Sequence, residues 1–291
     1  MYQITPAILL EEINRKHDMH WRLDHKLTGG ILGGAWKLTG KGRRAVLKVH
    51  DPSSSVPHNP DAAKVVAYIR KHGYPTPKWL VSGFLESGIS YSVQEFISGK
   101  SLQHLDISAA QIIIDIVQLQ RSLQPPTNFN WSTYMVEHVF SEHPSHQKLQ
   151  VAGRAVAHAL QEALAIVAPY QDLKLEENEM VHCDLSVSNI LVDDGKLAGV
   201  VDIDAAGRGC AVYDALSEAL NGVKWDADPE AVNLLHSYAI KAYGAGPVAI
   251  AASTLVIGGL AWRLESSSDE MVRMVAEKSL DWLSQIRTLI S

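Results

Sequence analysis

Apolar positions in the first hundred residues change their period several times. Residues 6–17 carry Ile8, Leu9 and Ile13 on one face behind Thr5-Pro6, which predicts a short helix. From His20 to Val49 the chain is glycine-rich and breaks into the short apolar runs Trp36–Leu38 and Ala45–Val49. Those runs predict consecutive antiparallel strands about a turn at Gly40–Arg44. Helical spacing returns over Asp61–His72, with Ala62, Val65, Val66 and Ile69, and stops at Gly73. Leu80–Phe84 and Ile89–Ile97 then predict two further strands around Glu86-Ser87-Gly88.

Beyond Lys100 the pattern is mainly helical. Ser108 is the expected cap of a helix bearing Ile112, Ile113, Ile116, Val117 and Leu123, and Pro125-Pro126 ends it. Further helices are predicted over 146–168, 213–221, 229–243, 247–265 and 269–290. The most apolar stretch, Val248–Trp262, contains Ser253, Thr254 and two glycines, and it reads as a buried helix rather than a membrane span. One interruption stands out. Ile190-Leu191-Val192 and Leu197–Val201 flank Asp193-Asp194-Gly195-Lys196, a hairpin signal. Pairing those strands sets Asn189 beside Asp202, with Asp184 just upstream.

Composition narrows the partners. A chain of 291 residues with 46% apolar and 20% charged residues can bury a sizeable core and is long enough for two lobes with a cleft between them. Lysine and arginine number 26 against 32 acids, so the net charge of −6 argues against nucleic acid as a partner and suits a cationic substrate better. Cys183 and Cys210 form neither a disulfide framework nor a zinc set, which points to a reducing compartment. The N-terminus lacks the basic region and apolar run of an export signal, so a cytoplasmic location is expected, with no membrane partner. His17, His20 and His25 show no metal-ligand spacing. No Gly-x-Ser-x-Gly arrangement supports a serine hydrolase, and the glycine run at 29–34 leads into a strand rather than a pyrophosphate-binding helix.

The segment His182-Cys183-Asp184-Leu185-Ser186-Val187-Ser188-Asn189-Ile190-Leu191-Val192, followed by Val201-Asp202-Ile203-Asp204 and Tyr213-Asp214-Ala215-Leu216, resembles the catalytic core of aminoglycoside phosphotransferase-like kinases. An aspartate near backbone amides or an asparagine before a strand is commonly structural when taken singly. The order and spacing of the whole set carry the resemblance. It implies an α+β, bilobal protein-kinase-like fold, with a small antiparallel-sheet N-lobe holding one helix over 1–97 and a larger, mainly helical C-lobe over 98–291.

By resemblance, Asp184 is the catalytic base, Asn189 and Asp202 are ligands of Mg2+, His182 braces the loop and Asp214 is a structural acid. These residue types suit the chemistry, because phosphoryl transfer needs oxygen ligands for the metal and a base beside the acceptor hydroxyl. Lys48, in Ala45-Val46-Leu47-Lys48-Val49, resembles the lysine that holds the α- and β-phosphates of ATP or GTP. Gly30 and Gly33 are expected to let backbone amides approach those phosphates. The backbone of Glu95 and Ile97 would meet the purine edge, and Val201 would pack on its face.

The sequence also departs from the family pattern. Members usually pair the lysine with a helix glutamate; no glutamate occurs between Lys48 and Leu85, and Asp61, at the start of the helix, is the nearest acidic candidate for that role. Cys183 replaces a usual glycine, and Ser186 stands where many members carry a histidine or another polar residue. Asp204 has three readings, assisting a metal, facing the substrate or capping the following loop, of which the loop cap is preferred.

The expected activity is transfer of the γ-phosphoryl group to a small hydroxylated molecule, with an aminoglycoside or related antibiotic, hence resistance, as the leading substrate class. Asp226, Asp228, Glu230, Glu265, Asp269 and Glu270 on the C-terminal helices are acids able to meet its ammonium groups, although a solvated face is the default role of each. The alternatives are a metabolic kinase of a sugar, amino alcohol or nucleoside-like compound, and a nucleotide-binding pseudokinase.

Overall fold

The computed structural model describes residues 5–27, 34–50 and 59–291. Helix α1 (Pro6–His17) leads into strands β1 (Arg22–Lys26), β2 (Ala35–Gly40) and β3 (Arg43–His50). Helix α2 (Ala62–Lys71) and strands β4 (Trp79–Phe84) and β5 (Ser90–Glu95) follow. The five strands form one antiparallel sheet in the order β1-β2-β3-β5-β4. Alternation along β3 turns Ala45, Leu47 and Val49 inward, where they meet Leu9, Leu10 and Ile13 of α1. Each fully buried aliphatic side chain there contributes about 2 kcal/mol of transfer free energy.

The remainder begins with the short strand β6 (Lys100–Ser101) and the helices α3 (Ile107–Arg121), α4 (Trp131–Phe140), α5 (Pro144–Val151) and α6 (Arg154–Val167). Strands β7 (Glu179–Val181), β8 (Ile190–Asp193), β9 (Lys196–Val200) and β10 (Gly207–Gly209) come next. The chain closes with α7 (Val212–Lys224), α8 (Pro229–Tyr243), α9 (Ala245–Ser266) and α10 (Asp269–Ile290).

Several boundaries differ from the sequence reading, each for a local reason. Asp106, not Ser108, caps α3, its carboxylate accepting the Ala109 N–H at 2.8 Å. The segment expected as one helix over 146–168 is two, because Gly153 turns the chain at φ 121°. Helix α4 was not foreseen; Asn130 caps it by accepting from Ser132 N–H at 2.9 Å. Helix α9 runs for 22 residues, long and apolar enough to cross a membrane by length and composition, yet most of it is enclosed by protein. Its Ser253 hydroxyl donates to the Ala163 carbonyl of α6 at 2.8 Å.

Two features position the site. Val65, Val66 and Ile69 of α2 pack with Ile113 and Val117 of α3 and with Leu185, Ile190, Val200 and Ile203, so one core joins α2 to the loop around Asp184. The β8–β9 hairpin forms as expected, with Asp194 and Gly195 at φ 47° and 73°, the left-handed pair of a tight two-residue turn. Ile190 pairs with Val200, and Val201 N–H donates to the Asn189 carbonyl at 2.9 Å, which brings Asn189 to the root of Asp202.

Candidate active site

The loop after β7 is held from below by one carboxylate. Asp214, in the first turn of α7 and fully buried, accepts the backbone N–H of His182 at 2.7 Å and of Cys183 at 2.8 Å. Burial pushes Asp214 up to about 7, against the pull of those two donors. The clamp holds Cys183 at φ 78°, a left-handed conformation that glycine adopts most readily. Removing the carboxylate would strand two loop donors at a cost of about 1–3 kcal/mol each.

His182 closes the loop from the other side. Its Nδ1 accepts the Asp184 N–H at 3.3 Å, so Nε2 carries the proton and donates to the Val201 carbonyl at 3.0 Å. Burial lowers His182 to about 4 and keeps the ring neutral in this role. Asn189 donates its amide to both the carbonyl of Asp184, at 2.8 Å, and its carboxylate, at 3.0 Å. Burial and the nearby Asp202 charge raise Asp184 to about 6, opposed by the Asn189 bond. Asp184 keeps solvent access on one side, where water moderates that effect.

Lys48 reaches across from β3 to pair with both Asp202 and Asp204. Burial works against its ammonium, but Asp204 and then Asp202 outweigh it and hold the group protonated. Burial would also raise Asp204, yet Lys48, with His50 at 3.5 Å, draws it well below the usual carboxylate range. Asp204 is therefore the buried partner of Lys48, a role outside the three readings the sequence left open. Asp61 does not serve; it pairs with Lys64 at 2.7 Å. The 59–61 segment instead braces the loop, with Asn59 N–H donating to the Asp204 carbonyl at 3.2 Å and its amide to the Ala206 carbonyl at 2.6 Å.

The structure thus brings Asp184, Asn189, Asp202 and Lys48 together. Val201 lies beside them at the end of β9. Glu95 ends β5, where its N–H donates to the Lys78 carbonyl at 2.8 Å, and its carboxylate lies 3.6 Å from Arg70. Ile97 crosses over Gly199 of β9 so closely that a Cβ there would lie 2.5 Å from the Ile97 methyl. That approach puts the chain after β5 against the strand leading to Val201. Gly30 and Gly33 lie outside the described residues.

Sequence reasoning missed the groups behind the loop. Glu218, one turn beyond Asp214 on α7, is buried and raised to about 7 by burial, and it receives the Val187 N–H and the Asn221 amide, the latter at 3.3 Å. Tyr213 and Tyr134 flank Cys183, and burial raises both phenols. The i, i+4 spacing of Asp214 and Glu218 was the available signal for a polar helix face turned toward the loop.

Comparison with known proteins agrees with this architecture. A family model described as the phosphotransferase enzyme family matches residues 26–249. Aminoglycoside phosphotransferase APH(4)-Ia shares the fold with a TM-score of 0.70 at 15% identity, over 97% of this chain and 99% of that one. A thermostable mutant of it, in a ternary complex with AMP-PNP and hygromycin B, superposes with a TM-score of 0.68 at 16% identity, over 95% and 97% of the two chains. A microcompartment-associated aminopropanol kinase gives 0.67 at 15% identity, over 96% of each chain. No curated protein sequence matches. The matched span contains Lys48, the Asp184 loop, the hairpin and Asp202, and it covers well over half of the chain. With its protein-kinase-like fold and this span, the chain belongs to the phosphotransferase enzyme family.

Proposed function

We propose that the chain is a magnesium-dependent kinase that moves the γ-phosphoryl group of ATP or GTP onto a hydroxyl of a small metabolite. The observation that carries this reading is the convergence of Lys48, Asp184, Asn189 and Asp202 from separate parts of the chain. Asp184 takes the hydroxyl proton as that oxygen bonds to the γ-phosphorus; the bond to the β–γ bridging oxygen breaks, and the nucleoside diphosphate leaves.

The donor set fits Mg2+. Asn189 uses its NH2 on Asp184, which leaves its amide oxygen as a neutral ligand. Asp202 gives one oxygen to Lys48 and, 42% exposed, keeps the other. Two hard oxygen donors with the rest supplied by phosphate and water suit this ion, which would offset the triphosphate charge when bound. Lys48 would turn from its carboxylates toward the phosphates. The backbone at Glu95 and Ile97 would meet the base edge, with Val201 against its face, and Gly30 and Gly33 would stand over the phosphates.

An aminoglycoside acceptor is supported by the hygromycin B complex among the fold's relatives. Several acids expected to hold its ammonium groups are engaged elsewhere, however. Glu265 pairs with Lys148 at 2.7 Å, Asp226 pairs with Lys278, and Asp228 caps α8 by accepting Glu230 N–H at 2.9 Å. A metabolic acceptor is accordingly favoured. Release of ADP or GDP should require Mg2+ and an acceptor drawn from sugars, amino alcohols, hydroxy acids or aminoglycosides. Nucleotide binding without acceptor-dependent release across that panel would favour a regulatory pseudokinase instead.

A further inference from the structure

The wall beyond Asp184 is built from α4, α7 and α9, and its charge has the sign opposite to the chain as a whole. Glu218 stands against the loop at Val187. About 9 Å further along the α7 axis, at 1.5 Å per residue, comes Lys224. Across from it α9 presents Gly258 and Gly259, which leave the surface without side chains. A Cβ on Gly259 would lie 3.5 Å from Lys224 Nζ, and one on Gly258 would lie 3.7 Å from His138 Nε2 and 3.8 Å from the Tyr134 hydroxyl. Tyr134 in turn lies beside Cys183. One turn beyond Gly259 is Arg263, its guanidinium 4.9 Å from the Trp262 ring and 5.7 Å from the Trp225 ring.

Among the described residues, neither cation is paired with a carboxylate. Lys224 makes no hydrogen bond or ion pair among the described residues. Burial and the neighbouring Arg263 pull it down to about 8, so it remains mostly charged at neutral pH. Arg263 has two aromatic faces and a 3.4 Å bond to the Ser267 hydroxyl, which orient the guanidinium but do not neutralise it. Trp225 is 54% exposed, an unusual position for a large aromatic and one suited to the rim of a binding site. The surrounding groups add little negative charge. His138 is lowered to about 4 by burial and by His143 and His146, so it is neutral; Asp226 is held by Lys278, and Glu265 by Lys148.

We propose that Lys224 and Arg263 form an oxyanion subsite, so that the acceptor is a hydroxylated compound bearing a carboxylate or a phosphate. This deepens the kinase reading and rests on it for the identity of the reacting end. A guanidinium fixed by aromatics and an ammonium beside it together supply a bidentate donor and a second charge. A polycationic acceptor would be repelled by the same pair.

The test uses the full chain saturated with AMP-PNP and Mg2+, titrated calorimetrically with gluconate and ribose 5-phosphate and with their uncharged counterparts glucitol and ribose. Hygromycin B serves as the cationic control. At least one anion should bind, and its neutral counterpart and hygromycin B should bind at least about tenfold more weakly, as expected for loss of a charge-assisted bond. Preference between gluconate and ribose 5-phosphate assigns carboxylate or phosphate. Lys224→Met, which keeps the aliphatic stem, and Arg263→Gln should each lower affinity for that anion by roughly ten- to a hundredfold. AMP-PNP affinity in both should stay at the wild-type value. If neither anion binds, if both variants bind like wild type, or if hygromycin B binds more tightly than the anions, the subsite is refuted. The kinase reading fails separately, through Lys48→Met retaining wild-type AMP-PNP affinity and wild-type transfer.

Discussion

At the sheet end of the site Lys48 is neutralised by Asp202 and Asp204, whereas at the helical end Lys224 and Arg263 pair with no carboxylate among the described residues. The first arrangement is compensated within the chain. A buried carboxylate such as Asp204 is tolerated because an ammonium sits against it, and nucleotide and metal would redistribute charges already balanced. The second arrangement leaves its balance to whatever binds. Asp184 stands beside the first, with Asn189 holding its carboxylate and burial and Asp202 raising its pKa. An internally paired charge set therefore marks a part of the site that must fold without its ligand, and an unpaired set marks a part whose complement comes from outside.

The largest effect should come from the centre, which both ends serve. Asp184→Ala is expected to lower kcat by about 1000-fold while AMP-PNP affinity stays within a small factor, since a general base contributes to the transition state and not to nucleotide binding. Steady-state kinetics beside calorimetry read both, and undiminished turnover removes Asp184 from the chemistry. Breaking the sheet end comes next. Lys48→Met should reduce kcat/KM by roughly 100-fold. It should also lower folding stability by about 3–5 kcal/mol, because Asp204 is left buried without its cation. Added Mg2+ should recover part of that stability, and denaturation with and without the ion measures it. A variant as stable as wild type would show that the Lys48 pair contributes little to the fold.

How far these two ends could be read in advance differs for a physical reason. The hairpin was legible because Asp193-Asp194-Gly195-Lys196 has one good backbone solution, and that solution brings Asn189 to Asp202 without reference to the rest of the fold. Lys48 was legible from its strand pattern, but its second partner was not. Asp202 adopts φ 64° and redirects the chain, so Asp204 returns to the same ammonium in a way that residue spacing does not display. The acids on the later helices looked available because sequence shows charge and not pairing. Lys148 and Glu265 are joined only by the packing of α5 on α9, and Lys278 reaches Asp226 only because α10 lies beside α7. Lys224 and Arg263 were hidden for the converse reason, since lysine and arginine on amphipathic helices ordinarily face water. Their position opposite Gly258 and Gly259 exists only once α7 and α9 are packed.

A smaller effect follows from Asp184 itself. Its pKa, raised to about 6, means the carboxylate is ionised and able to accept a proton only above that value. The ratio kcat/KM should be level near pH 7.5 and fall by about tenfold per unit below pH 6, the slope of a single required base. Because Asp202 is a cause of the shift, Asp202→Asn should move the residual activity's inflection toward lower pH. A profile flat from pH 5 to 8 in the wild type would place the required proton acceptor elsewhere.

The smallest effect distinguishes the two ends most directly, because it has the opposite sign. If Lys224 is an uncompensated cation, Lys224→Met should not destabilise the ligand-free protein as Lys48→Met does; it should stabilise it, by on the order of 1 kcal/mol. The sign follows from linkage. Lys224 has a folded pKa of about 8 against a usual 10.5, so the folded state binds its proton less well than the unfolded chain does. That penalty is full below pH 8, and wild-type stability gains on the variant as pH rises from about 8 toward 10.5, where both states lose the proton. Denaturant midpoints of the two proteins at pH 7 and pH 9.5 should accordingly converge. A Lys224→Met protein less stable than wild type at pH 7 would mean that the ammonium is compensated inside the chain after all, and the contrast between the two ends would disappear.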